Sequence, residues 1–250
     1  MKPLLVAALA AAGLVTGLGL RFIVRQFTVG RFTPVEGESP AASCPRCGDD
    51  VSGAPRPRWA AGLAAARCPG CRARLGPPPL TVELVTALVL GALAARVPAG
   101  LALAAACWLG ACGVALAWID ASVQRLPDVL TGAAYAGTAG LLLAAAASSG
   151  NWHALLRAAV AGLALAAALA AVAVISHSAL GLGDAKLAAS LGTLLAWFGW
   201  PTLVRGIVAG FLLGGVYGAA LLVFRRATAA QKVAFGPFML AGAFLAILAT

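Results

Sequence analysis

Charge is what this 250-residue chain has least of: Asp, Glu, Lys and Arg together make up 10% of it, and only eight residues are acidic. Soluble domains average about 25% charged residues. The chain is also 62% hydrophobic, with a mean hydropathy of +0.95, which is more apolar surface than one soluble core can hide. That scarcity excludes an ordinary water-soluble globule and leaves the bilayer as the solvent in which the composition is stable. Histidine is nearly absent too, and the two present, His153 and His177, are too far apart in sequence to suggest a shared site. No glycine-rich nucleotide loop stands out.

What charge there is has mostly one sign, with a formal net value of +10. Nine of the eighteen Lys and Arg residues fall between Arg21 and Arg74. Basic residues crowded beside apolar segments read as a topology signal or a contact with anionic membrane lipid, and no nucleic-acid partner is expected.

A bilayer span needs about 17–25 apolar residues at 1.5 Å each. The first such run is about Pro3–Val24. It resembles the start of a signal peptide, but it is longer than a signal core and shows no small-residue cleavage site, so it reads as a retained anchor. Seven further runs follow, at about Leu80–Ala95, Gly100–Ile119, Val129–Ala147, Ala154–Ser176, Leu187–Trp200, Thr202–Phe224 and Phe235–Ala249. The pattern predicts an all-α polytopic membrane protein with about eight transmembrane helices. Leu187–Trp200 is short for a span, either tilted or continuous with its neighbour across Pro201. Three units result: a first transmembrane helix over 1–24, a small polar domain over 25–79, and a membrane domain over 80–250.

Charge tests this arrangement. With 25–79 in the cytoplasm and strict alternation afterwards, fourteen of the eighteen basic residues lie inside, leaving Lys2, Arg96, Arg157 and Arg205 outside. The positive-inside bias therefore agrees with eight helices and a cytoplasmic polar domain.

Of the eight acidic residues, Glu36, Glu38, Asp49 and Asp50 lie in the polar domain, and Glu83, Asp120, Asp128 and Asp184 sit in or beside spans. An ionised carboxylate there costs about 2.5 kcal/mol or more, so each is a functional candidate. Asp120 closes the third span and Asp184 directly precedes the sixth, both at the cytoplasmic boundary. Two carboxyls in one site cannot both ionise cheaply, so one stays protonated while the other takes a proton from water that attacks an amide carbonyl. The bland reading is that both merely cap helix ends. Asp128 follows Pro127 and Glu83 opens the second span; both fit a helix start, and each is given a supporting role. In Gly181-Leu182-Gly183 the glycines allow close backbone approach beside Asp184. Lys186 either holds a carboxylate or anchors the helix on the inside, and the anchor is the favoured reading.

Cys44-Pro45-Arg46-Cys47 and, twenty residues on, Cys68-Pro69-Gly70-Cys71 form two knuckles able to wrap one tetrahedral zinc through four thiolates. A polar segment of about 55 residues has little core of its own, and metal binding would supply folding free energy. A redox dithiol pair is the competing reading. Cys107 and Cys112, five residues apart in an apolar span, read as inert buried thiols.

Taken together, these residues resemble the type IV prepilin peptidase family, which belongs to the G-x-G-D class of intramembrane aspartic peptidases. The resemblance rests on the cysteine knuckles after the first span and Glu83 opening the second. It also rests on Asp120 followed eight residues later by Leu126-Pro127-Asp128, on Gly181-Leu182-Gly183-Asp184-Ala185-Lys186, and on Phe235-Gly236-Pro237-Phe238 in the final helix. It implies catalytic roles for Asp120 and Asp184, supporting roles around Asp128, Gly181, Gly183 and Lys186, and structural zinc at Cys44, Cys47, Cys68 and Cys71. Further implied are a multi-pass location in a bacterial-type inner membrane and cleavage of the basic leader of type IV prepilin or pseudopilin substrates at its cytoplasmic face. Many bacterial members also N-methylate the new N-terminus with S-adenosylmethionine. The chain departs from the family at the end of the first helix: where Gly-Ser-Phe-Leu-Asn is common, it has Gly17-Leu18-Gly19-Leu20-Arg21. That second reaction is associated with the N-terminal region and stays open here.

Two other classes compete. An ion- or proton-coupled transporter with a structural zinc domain would use the aspartates for coupling, but needs polar groups near the midplane, and these Ala/Leu/Gly helices have almost none. A membrane thiol oxidoreductase would need its cysteines on an oxidising side, opposite to where charge puts them.

Overall fold

The computed structural model describes residues 2–28, 47, 70–72, 76–176, 181–224 and 234–250. Among these, all regular structure is helical: α1 (Lys2–Thr28), α2 (Thr81–Arg96), α3 (Leu101–Val123), α4 (Asp128–Ser149), α5 (Trp152–Ser176), α6 (Leu182–Phe198), α7 (Trp200–Val223) and α8 (Gly236–Leu248). Five of these helices, α1, α3, α4, α5 and α7, are long and apolar enough to cross a membrane. The others have 16, 17 and 13 residues, reaching about 20–26 Å against a hydrocarbon core of about 30 Å. The eight helices expected are thus present among the described residues, while five meet the length of a span. Large apolar side chains such as Leu163, Ile175, Leu212 and Val216 point outward, a surface suited to lipid and not to water. The chain is a polytopic all-α membrane protein.

Lipid tails are as apolar as leucine, so helices in a bilayer associate through close packing of small residues. Three tight pairs show this. A Cβ on Gly13 or Gly17 of α1 would stand 2.6 Å from the Cα of Ala87 or 2.5 Å from that of Glu83 on α2. One on Gly162 of α5 would stand 2.1 Å from the Thr193 hydroxyl on α6, and one on Gly242 of α8 would stand 2.3 Å from the Gly210 nitrogen on α7. Around these pairs α3 is central, touching α1, α2, α4, α6 and α8. Its Leu109, Leu116 and Ile119 are fully buried.

Two expected boundaries move. The sixth helix begins at Leu182 rather than Leu187, so Asp184 lies inside its first turn. Glycine at 183 leaves room for Leu126, whose side chain packs 3.0 Å from where a Cβ would be. The sixth and seventh helices are also separate, parted at Gly199 with φ +133. Arg157 of α5 closes the C-terminus of α6 by donating to the carbonyls of Ala196 (2.7 Å) and Trp197 (2.9 Å). Cys112 lies in the core and Cys107 packs half-buried against it, as expected of inert thiols.

Candidate active site

One end of the bundle gathers the end of α3 and the beginnings of α6 and α8. Asp120 is in the last turn of α3 and is 5% exposed. Its Oδ2 accepts a hydrogen bond of 3.0 Å from the backbone N–H of Gly236, the first residue of α8. Asp120 therefore caps a helix 116 residues away in sequence. A helix N-terminus has orphan N–H groups and a positive dipole end, so a carboxylate there is stabilised. A Cβ at position 236 would stand 2.8 Å from Asp120 Oδ2; only glycine lets the chain come close enough to donate.

Asp184, 8% exposed, is built differently. It sits at the third position of α6, and its Oδ2 accepts from the Gly181 N–H at 3.2 Å while its own N–H donates to the Gly181 carbonyl at 3.0 Å. This is the side-chain half of a capping box. Its other oxygen, Oδ1, is buried with no protein partner. The Asp184 carboxyl is within electrostatic reach of Asp120. Each aspartate is thus pinned through one oxygen by a glycine N–H. The reading of both as helix caps holds.

Around the pair, Leu126 in the loop after α3 lies on Gly183, and Lys186 forms an ion pair of 2.5 Å with Asp128. Lys186 is therefore more than an inside anchor, and its partner is neither of the buried aspartates. Glu83 is not a solvated helix start either: it is 2% exposed and lies 3.1 Å from Arg21, itself buried in α1. Arg21 occupies the stretch where the sequence departs from the family. Gly236 is the site residue that the sequence reading quoted without giving it a role. A glycine followed by proline at the start of a short apolar helix was the available signal.

Cys47 and Cys71 lie outside the helices, the first exposed and the second half-buried. Cys44, Cys68 and His177 lie outside the described residues. Among the described residues no three His, Cys, Asp or Glu side chains gather as a metal site. An apolar pocket lies between α5, α6, α7 and α8, walled by Leu169, Leu191, Phe211, Phe235 and Met239.

These features define a helical membrane protein with a paired-carboxylate site. The family model of the type IV leader peptidase family matches residues 103–219, which include both aspartates. Among known proteins, a prepilin leader peptidase/N-methyltransferase of Aeromonas salmonicida is 30% identical over 214 residues, covering 84% of this chain and 71% of its own length. A protein of the same name from Pseudomonas aeruginosa is 31% identical over 216 residues with the same coverage, and one from Aeromonas hydrophila is 31% identical over 214. No solved structure matches. The chain belongs to the type IV leader peptidase family.

Proposed function

We propose that this protein is a prepilin leader peptidase, an aspartic endopeptidase that removes the basic leader of type IV prepilin or pseudopilin substrates. The observation that supports it best is that Asp120 and Asp184 lie within electrostatic reach of each other, each held by one glycine N–H, with Asp184 Oδ1 left without a protein partner among the described residues. A water between the two carboxyls would lose a proton to the ionised one as it attacks the scissile carbonyl. The protonated partner would hydrogen-bond the developing oxyanion and later protonate the leaving amine. The glycines at 181 and 183 keep bulk away from the approach to Asp184. In this reading α2, α6 and α8 also span the membrane, giving eight spans of which seven lie in the domain over 80–250, and the positive-inside bias puts the site and the 25–79 segment on the cytoplasmic side.

Cys44, Cys47, Cys68 and Cys71 would hold one structural zinc. Soft thiolates in two C-x-x-C pairs suit that ion, and the two described cysteines lie outside the helices, free of helical geometry. Zinc would supply folding energy to the segment and no catalytic step. The relatives are also named for N-methylation, which needs S-adenosylmethionine. No described cluster fits that cofactor, so no residue is assigned to it and no step is drawn through it. Nothing in the comparisons favours a transporter.

Co-expression with a prepilin tests the central reading. Asp120→Asn and Asp184→Asn should each abolish leader removal while the protein stays in the membrane at normal yield. Full processing by both would end the aspartyl mechanism.

A further inference from the structure

The loop after α3 and the first turn of α6 are joined at two points. One is apolar, Leu126 against Gly183. The other is ionic, Lys186 Nζ to Asp128 Oδ1 at 2.5 Å. Asp128 lies eight residues after Asp120, and Lys186 two residues after Asp184. Each partner is therefore close in sequence to one aspartate, with a single short loop (Gln124 in a left-handed conformation, φ +53) between Asp120's helix and Asp128. The pair is exposed, its side chains 51% and 75% accessible, and an exposed ion pair contributes about 0–1 kcal/mol to stability. As a stabiliser it is nearly idle; as a spacer it is well placed.

We propose that Lys186 and Asp128 form a latch that fixes the separation of Asp120 and Asp184, making them positioning residues for the reaction. This rests on the proposed function. The latch ties the chain leaving Asp120 to the turn carrying Asp184. A shared-water mechanism is sensitive to such spacing: a displacement of about 1 Å can cost about a hundredfold in rate. Being at the surface, the latch can be screened by salt, unlike the buried glycine contacts beneath it.

The experiment uses the full-length protein in detergent with a purified prepilin, comparing wild type, Asp128→Asn, Lys186→Gln and the charge swap Asp128→Lys with Lys186→Asp. Each single variant should lose about two- to fivefold in kcat, the most a contact worth up to about 1 kcal/mol can supply, with KM little changed. The swap should recover most of that loss. Raising ionic strength to about 1 M, where the screening length falls to about 3 Å, should lower wild-type kcat towards the single variants and leave theirs unmoved. Hydrogen exchange should quicken at 124–130 and 181–187 in the single variants and recover in the swap, a readout that holds even if the protein cleaves no prepilin. A swap no better than the single variants, a change confined to KM, or unaltered exchange at both segments overturns the latch.

Discussion

Adding one methyl group at Gly236 should damage catalysis far more than folding. The Cβ of Gly236→Ala would stand 2.8 Å from Asp120 Oδ2, closer than real side-chain carbons come, so the carboxylate must swing away. The N–H···O distance is already 3.0 Å, and a retreat of a few tenths of an ångström takes it to the edge of the hydrogen-bonding range. Losing a hydrogen bond to a charged group costs about 1.5–3 kcal/mol. At about 1.4 kcal/mol per decade of rate, the expected fall in kcat/KM is roughly 10- to 150-fold. Gly236 is not among the positive-φ residues, so alanine meets no backbone strain and the protein should reach the membrane normally. The assay is the rate of leader removal by purified variants, with Gly132→Ala as control, since nothing lies within 4 Å of a Cβ there. If Gly236→Ala keeps more than half of wild-type kcat/KM, or the control falls as far, the capping contact does not hold Asp120 for the reaction.

Three further outcomes concern the parts that carry the site. Gly17→Ala would press a methyl group to 2.5 Å from the Glu83 backbone and should lower stability by about 1–3 kcal/mol. Gly19→Ala, with open space around it, should leave the melting temperature in detergent unchanged. At the buried Arg21–Glu83 pair, Arg21→Met alone should cost about 3–5 kcal/mol by stranding a carboxylate. Arg21→Met combined with Glu83→Leu should regain most of that, read as melting temperature; equal losses in the single and double variants would contradict it. Metal analysis should find about one zinc per chain in wild type and none in Cys44→Ser; a metal-free wild type would remove the zinc reading.

Much of this was legible because a bilayer simplifies the code. Apolar runs mark helices, and eight helices stand near the expected positions among the described residues, with shifts of a few residues at their ends, while five of them have the length of a span. Carboxylates are so costly in such runs that four positions, Glu83, Asp120, Asp128 and Asp184, held all the acidic chemistry of the membrane domain. Contacts between distant elements stayed hidden. Gly236 carries no charge and announces its role only when α8 is seen to start against Asp120. Lys186 has several carboxylates within plausible reach in sequence, and only folding selects Asp128. Arg21 looked like a gap in a family motif, whereas in three dimensions it answers the charge of Glu83. The close contact of Gly183 with Leu126, 57 residues earlier, was hidden in the same way.

Capping and catalysis need not compete as explanations of Asp120 and Asp184. A carboxylate at a membrane boundary must find partners for its charge, and the cheapest are the orphan N–H groups at a helix start. Asp184 uses the start of its own helix and Asp120 the start of another, so each satisfies one oxygen and leaves the other side of the group free. A cap that used both oxygens would be structurally better and chemically inert. The buried, unpartnered Oδ1 of Asp184 is what a purely structural cap would avoid, since an unmet buried polar group costs about 1–3 kcal/mol, and more when charged. Such a cost is tolerable where a water, and then a substrate, is to be held in place between two acids.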